Sequence, residues 1–128
     1  MEIKNQVVSL ELAKKMKELG FKQESLFWWN RQDMPGDDFV IQVGMHKIHE
    51  SYGEPLCSAY TVAELGEMLP DLLRDKFGEN QLLTINKRSN KNWYVDYGGF
   101  LEGIYFEADT EADARAKMLI YLKENKLI

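Results

Sequence analysis

The side chains best equipped for chemistry are His46 and His49, three residues apart with Glu50 beside the second, and Cys57. On a helix this spacing would set both imidazoles on one face, as metal ligands need; on a strand they would point to opposite faces. The residues around them have strand or loop composition. Two ligands also leave a zinc site incomplete, with Cys57 remote as a third, so exposed histidines are expected here and no metal. Cys57 stands without a Cys-His-Asn or Cys-His-Asp signature. A catalytic partner need only be close in the fold, yet the expected role of this thiol is that of a small, partly buried hydrophobe.

Other chemical patterns stop short of a site. Asp33, Asp37 and Asp38 could offer oxygens to Ca²⁺, but the spaced ligands and closing glutamate of an EF-hand loop are absent. Pro70-Asp71 could open a nuclease constellation that continues with an acid, a spacer and a lysine. The nearest continuation, Ile85-Asn86-Lys87, lacks the acid and so a second Mg²⁺ ligand. Gly98-Gly99 and Gly103 have neither the spacing nor the lysine of a phosphate loop. No cofactor is implied.

Aromatic residues are the compositional excess, at 12% of the chain. They gather at Phe27-Trp28-Trp29, at Trp93-Tyr94 with Tyr97, and at Tyr105-Phe106. Side chains alternate across a strand, so neighbours cannot share a face. If Trp28, Trp93 and Ile104 face the core, then Phe27, Trp29, Tyr94 and Tyr105 lie together on the other side of the sheet. Those four are the candidate binding residues, and the partner they imply is another protein or a second copy of the chain. A one-residue slip in register would exchange the two faces. Alternatively, the loop from Arg31 to Asp38 or the segment from Asp71 to Gln81 folds over them as a second small core.

The elements that would carry these residues follow from periodicity and capping. Leu12, Ala13, Met16 and Leu19 fall at helical spacing after Ser9, a good N-cap, and Gly20 supplies a left-handed stop. Strands are expected over Ser25–Asn30 and around Phe39, Ile41 and Val43, with a loop from Asp33 to Asp38 between them. Met45 to Glu54 has no clear pattern, and Tyr52-Gly53-Glu54-Pro55 reads as a turn. Thr61-Val62-Ala63-Glu64 is a capping box, and Pro70 ends that helix. Leu82–Lys87 and Asn92–Tyr97 form a hairpin about Arg88-Ser89-Asn90-Lys91, with Leu83, Ile85, Trp93, Val95 and Tyr97 on one side. Ile104 and Phe106 suggest one more strand. Thr110 caps a last helix whose apolar face is Ala112, Ala116, Leu119, Ile120 and Leu122. The expected fold is α+β: an antiparallel sheet of four to five strands with three helices, near residues 9–19, 61–69 and 110–125, in a single domain over residues 1–128.

Three segments carry a resemblance. They are Val8-Ser9-Leu10-Glu11-Leu12-Ala13-Lys14-Lys15 with Gly20 and Lys22-Gln23-Glu24-Ser25; Ser58-Ala59-Tyr60-Thr61-Val62-Ala63-Glu64-Leu65-Gly66-Glu67-Met68-Leu69-Pro70; and Glu107-Ala108-Asp109-Thr110-Glu111-Ala112-Asp113-Ala114-Arg115-Ala116-Lys117-Met118-Leu119-Ile120. Together they resemble a family of small uncharacterised proteins carried by gut bacteria and their phages. The resemblance implies a bacterial or prophage origin and assigns no activity, cofactor or site residue.

Bulk composition narrows the classes of function. Twenty-one acidic against sixteen basic residues give a net charge of -5, which argues against nucleic acid as a partner. One cysteine among 128 residues excludes an internal disulfide framework and suits a reducing compartment. No apolar run is long enough to span a bilayer, and Met1-Glu2-Ile3-Lys4-Asn5-Gln6 does not resemble a signal peptide, so a cytoplasmic protein without a membrane partner is expected. The reading that follows is a non-enzymatic interaction module of phage or mobile-element origin. The alternative is a DNA-binding accessory protein, in which the helices at Ser9 and Thr61 each open a helix-turn-helix unit. That reading lacks a second helix after Gly20, where Ser25-Leu26-Phe27-Trp28-Trp29 has strand composition, and after Pro70 it has only Arg74 and Lys76 against Asp71 and Asp75. A small enzyme using His46, His49 or Cys57 is the third reading. The metal expectation is directly testable. Elemental analysis of the purified protein should find no stoichiometric zinc; one zinc per chain, lost in His46→Ala or His49→Ala, would overturn it.

Overall fold

The helices begin where hydroxyl side chains can satisfy free amides. In a computed structural model that describes residues 2–48, 53–75, 77–98 and 105–128, three α-helices and seven strands are formed among the described residues. The helices are α1 (Leu10–Glu18), α2 (Val62–Met68) and α3 (Glu111–Glu124). At α2 the capping box is complete: the Glu64 amide donates to Thr61 Oγ1 at 3.2 Å and the Thr61 amide to Glu64 Oε1 at 2.9 Å. Thr110 Oγ1 accepts from the Asp113 amide at α3. At α1 the hydroxyl of Ser9 makes no capping bond, contrary to expectation. The Ser9 amide instead donates to Asp113 Oδ1 at 2.7 Å, so the start of α1 is tied to the first turn of α3. Gly20 closes α1 with φ of 90°, and the Phe21 amide folds back onto the Met16 carbonyl. Pro70 follows the end of α2, whose C-cap Leu69 is already extended.

The strands are β1 (Trp28–Asp33), β2 (Phe39–Gly44), β3 (Gly53–Ser58), β4 (Leu72–Arg74), β5 (Asn80–Lys87), β6 (Trp93–Tyr97) and β7 (Tyr105–Ala108). All pairings are antiparallel, in two sheets of order β2-β1-β3 and β4-β5-β6-β7. The α+β class and the three helices agree with the sequence reading. The division of the strands differs, because two of them lie where turn chemistry or a proline stop suggested none. Gly53-Glu54-Pro55, expected as a turn, opens β3. Gly53 has φ of 156°, and a Cβ there would collide with the Arg31 carbonyl, so only glycine allows this approach to β1. Pro55 pairs with Asn30 in a strand at the edge of its sheet, where a missing amide is tolerated. Strand β4 is three residues directly after Pro70-Asp71 and pairs with the start of β5. Strand β1 also begins later than expected, at Trp28, and runs through Asp33. Ile104, expected within the last strand, lies outside the described residues.

The hairpin register of β5 and β6 is the expected one: Leu83 pairs with Tyr97, Ile85 with Val95 and Lys87 with Trp93. This puts the apolar members of both strands on the face that meets α3. Helix α3 buries Ala112, Ala114, Ala116, Met118, Leu119, Ile120 and Leu122. That is most of its circumference rather than one stripe, which identifies a helix packed on several sides. It lies against β6 and β7 and touches α1 and α2. The N-terminal segment is fixed at Val8, whose amide donates to the Tyr60 carbonyl and whose carbonyl accepts from the Trp29 indole, both at 2.9 Å.

Substitutions in α3 should therefore be the most costly in the chain. Leu119→Ala should destabilise the protein by about 2–5 kcal/mol, and Ala116→Leu by about 1–3 kcal/mol through overpacking. Urea unfolding followed by circular dichroism measures both; a loss below 1 kcal/mol for Leu119→Ala would contradict the central position of this helix.

Candidate functional site

Two surfaces collect the aromatic residues. The first is a cleft of about 710 Å³ between the N-terminal segment, the starts of α2 and α3, and the end of the β5–β6 hairpin. Phe27, Val62 and Trp93 form its apolar wall, and Lys87, Asp109 and Glu111 stand on its rim. The size suits a small ligand, but several of its polar groups are engaged. The hydroxyls of Thr61 and Thr110 accept from helix amides, Glu111 is held by Arg115 at 2.7 Å, and the Lys87 ammonium lies 5.7 Å from the Trp93 ring centre. Among the described residues its lining includes no histidine, cysteine or serine.

The second surface is the face of the four-stranded sheet turned away from the helices. Register sets Leu72 beside Leu82, Thr84 beside Asp96 and Tyr105, and Asn86 beside Tyr94 and Glu107. Tyr94 and Tyr105, diagonal neighbours across β6 and β7, stack with ring centres 5.6 Å apart, and the Arg88 guanidinium lies 4.4 Å above Tyr94. Leu82 is 64% exposed and Tyr105 51%. Hydrogen bonds from Tyr94 and Asn92 hold the Glu107 carboxyl below its usual range, so the patch carries a fixed negative charge at its edge.

The four aromatic candidates therefore separate. Tyr94 and Tyr105 share the outer face of the four-stranded sheet, with Trp93 turned inward. Phe27 precedes β1, accepts at its carbonyl from the Ala59 amide and lines the cleft. Trp29 belongs with neither. It packs against the core and its indole N–H is spent on Val8, while Trp28 is the residue turned the other way, under the Lys47 ammonium at 5.2 Å. The expected assignment of Trp28 and Trp29 is reversed, because the strand is recruited to the core through the Trp29–Cys57 pair of β1 and β3. Alternation alone could not choose between the two.

The other candidates do not converge. His46 is exposed, and its carbonyl accepts from Asn30 Nδ2 at 3.0 Å; His49 lies outside the described residues. Cys57 is fully buried and pairs with Trp29, whereas Asn30 points to the opposite face, so β1 stands between His46 and the thiol. Burial pushes the Cys57 thiol up from its ordinary value, which opposes the nucleophilic thiolate. Among the described residues no three His, Cys, Asp or Glu side chains come close enough to hold a metal ion. Asp33 pairs with Arg31, and Asp38 accepts from the Phe39 amide, so these carboxylates shape the β1–β2 hairpin. Asn30, which sequence reasoning passed over, is a buried polar residue: it donates to the His46 carbonyl and accepts from the Ile48 amide at 3.2 Å, holding residues 46–48 against β1. A lone asparagine within an aromatic strand, followed by a stretch without pattern, is the only trace of this in the sequence.

No protein-family model matches the chain, and neither does any curated protein or solved structure.

The buried titratable groups give a pH prediction. Burial raises Cys57 from 9.0, Tyr60 from 10.0 to about 12, and Tyr97 above its usual range as well. A raised folded value means that the unfolded chain releases its proton first, so stability is complete below the unfolded value and declines as pH rises. Unfolding free energy should therefore fall progressively above about pH 9. In a spectrophotometric titration two of the six tyrosines should resist ionisation until unfolding, and Cys57 should react with a bulky disulfide reagent only in denaturant. Rapid labelling of the native protein, or a single tyrosine transition near pH 10, would contradict this.

Proposed function

We propose that the protein is a non-enzymatic interaction module, of phage or mobile-element origin, that binds another protein through the outer face of its four-stranded sheet. The observation that carries this reading is the stacked Tyr94–Tyr105 pair of β6 and β7, on a face that no described helix covers, with Leu72 and Leu82 exposed on the neighbouring strands β4 and β5. A sheet face left to water is normally polar. This one combines apolar area with Arg88, Asp96 and Glu107, the mixture of aromatic contact and polar rim found at protein interfaces. The 710 Å³ cleft is the less favoured location, since Thr61, Thr110 and Glu111 of its lining already serve helix caps and an ion pair.

The DNA-binding alternative finds little support. After α1 the chain runs extended from Phe21 to β1, and after α2 it enters β4, so neither helix is followed by a second one in a helix-turn-helix. No described helix is long and apolar enough to cross a membrane.

The test is paired. Leu82→Asp and Tyr105→Ala replace exposed side chains and should leave the melting curve within about 0.5 kcal/mol of the parent. Protein captured from bacterial lysate by the immobilised parent should be lost with both variants. Hydrogen exchange in the reconstituted complex should show protection in β5, β6 and β7. Retention by both variants, or protection confined to the cleft or to β1–β3, would refute the reading. Salt-dependent binding of duplex DNA by fluorescence anisotropy would favour the alternative.

A further inference from the structure

The β1–β2 hairpin carries a second surface, independent of the sheet face above. Strand β2 is the edge of its sheet, and its residues Phe39, Val40 and Ile41 are exposed. The other edges are short or obstructed. Strand β4 has three residues, Pro55 interrupts β3, and lysine ammoniums take carbonyls on two strands: Lys17 that of Leu56 in β3 and Lys117 that of Glu107 in β7, both at 2.8 Å. Short edges, prolines and lysines are how sheets discourage further pairing. From Phe39 to Gly44 the sequence Phe-Val-Ile-Gln-Val-Gly contains no charge and no proline.

Hydrogen bonding defines which backbone groups of β2 face outward. The Met34 amide donates to the Asp38 carbonyl at 3.0 Å, so Met34 and Asp38 are a hydrogen-bonded pair. Such pairs alternate along an antiparallel ladder. Val40, Gln42 and Gly44 therefore turn their backbone groups toward β1, and Phe39, Ile41 and Val43 turn theirs away from it. Consistently, the Phe39 amide is met by the Asp38 carboxylate and not by β1. The strand is also polarised. Asp37 and Asp38 precede it, and Lys47 follows it. Against a second copy running antiparallel, acid meets base at both ends; in a parallel arrangement like charges would meet.

We infer that β2 is a self-association edge, and that two copies of the chain pair β2 with β2 antiparallel about a two-fold axis at Ile41. Ile41 then faces Ile41 of the second copy, and Phe39 faces its Val43. The outward backbone groups of both strands are used, the Phe39 amide exchanging the Asp38 carboxylate for the Val43 carbonyl of the second copy, and the two three-stranded sheets join into one of six. Phe39, Ile41 and Val43 of both copies share one face as a continuous apolar stripe. The interface is isologous, so it closes at two copies instead of growing into a filament.

The experiment is sedimentation equilibrium of the full chain over a wide concentration range, with three variants. The parent should approach a mass near 30 kDa, twice the 14.9 kDa chain, at sub-millimolar concentration. Ile41→Lys sets like charges directly opposite at the two-fold and should raise the dimer dissociation constant roughly tenfold or more. Ile41→Pro removes an amide that the monomer does not use, and should also be monomeric with an unchanged circular dichroism spectrum. Ile41→Cys should form a disulfide-linked dimer on mild oxidation, because only a residue on the axis meets its own counterpart; Val40→Cys and Val43→Cys should do so poorly. A parent that stays monomeric, a dimer unaffected by Ile41→Lys, or cross-linking strongest at Val43→Cys would overturn the proposal. Should Ile41→Pro unfold, the lysine variant and the cross-linking series still decide it. A dimer abolished by Tyr105→Ala but not by Ile41→Lys would assign self-association to the other sheet.

Discussion

The packing of α3 on several sides at once organises the rest of the molecule. Its first half presents alanines at 112, 114 and 116, and its second half Met118, Leu119, Ile120 and Leu122. The small residues allow close approach and the large ones fill the space between the helices and the sheet, as dense core packing requires. Polar groups on α3 then reach sideways to fix neighbouring elements. Asp113 receives the Ser9 amide of α1, Arg115 donates to the Val62 carbonyl of α2 at 3.3 Å, and Lys117 donates to the Glu107 carbonyl of β7. One helix thus sets the position of both other helices and of the edge of the four-stranded sheet.

That arrangement decides which surfaces remain uncovered. All three helices are drawn to the inner side of the two sheets by the shared core, so the outer face of β4–β7 has no helix to cover it. The β1–β2 hairpin is anchored at only one end. Near the core, Trp29 packs inward and donates to Val8, and Asn30 is buried beneath residues 46–48. Beyond Arg31 the two strands run out from the core, and Met34 in their connecting loop and Phe39, Val40 and Ile41 of β2 are exposed. A chain that blocks β3 and β7 with lysines yet leaves β2 unblocked has apolar surface in two separate places, one a face and one an edge. The two differ in what they can accept: a face accepts side chains, whereas an edge accepts a backbone.

The buried polar groups fasten the fold together. Tyr60 donates its hydroxyl to the Lys22 carbonyl and accepts from Gln23, and Tyr97 donates to the Pro70 carbonyl at 2.7 Å. Both phenols are consumed in fastening loops to the core, and burial keeps them protonated. The Cys57 thiol is likewise held neutral and out of reach of His46.

Local signals were sufficient for the three helices, because capping and periodicity act over a few residues. Thr61 with Glu64, Thr110 with Asp113, Gly20 and Pro70 mark helix ends by bonds or exclusions within one turn. The β5–β6 hairpin was legible for the same reason, since a short turn sets its register and alternation then assigns its faces. Strand β3 was not legible: Gly53-Glu54-Pro55 has the composition of a turn, and it becomes a strand only because β1 lies alongside and Gly53 can approach the Arg31 carbonyl. The orientation of Trp28 and Trp29 was equally undetermined, as both are large and apolar and either could have been buried. The sequence by itself determined where helices start and stop and which strand residues share a face. Only the tertiary structure decided which face is inward, how seven strands divide between two sheets, and which edge is left open, because those outcomes depend on contacts between residues far apart in the chain.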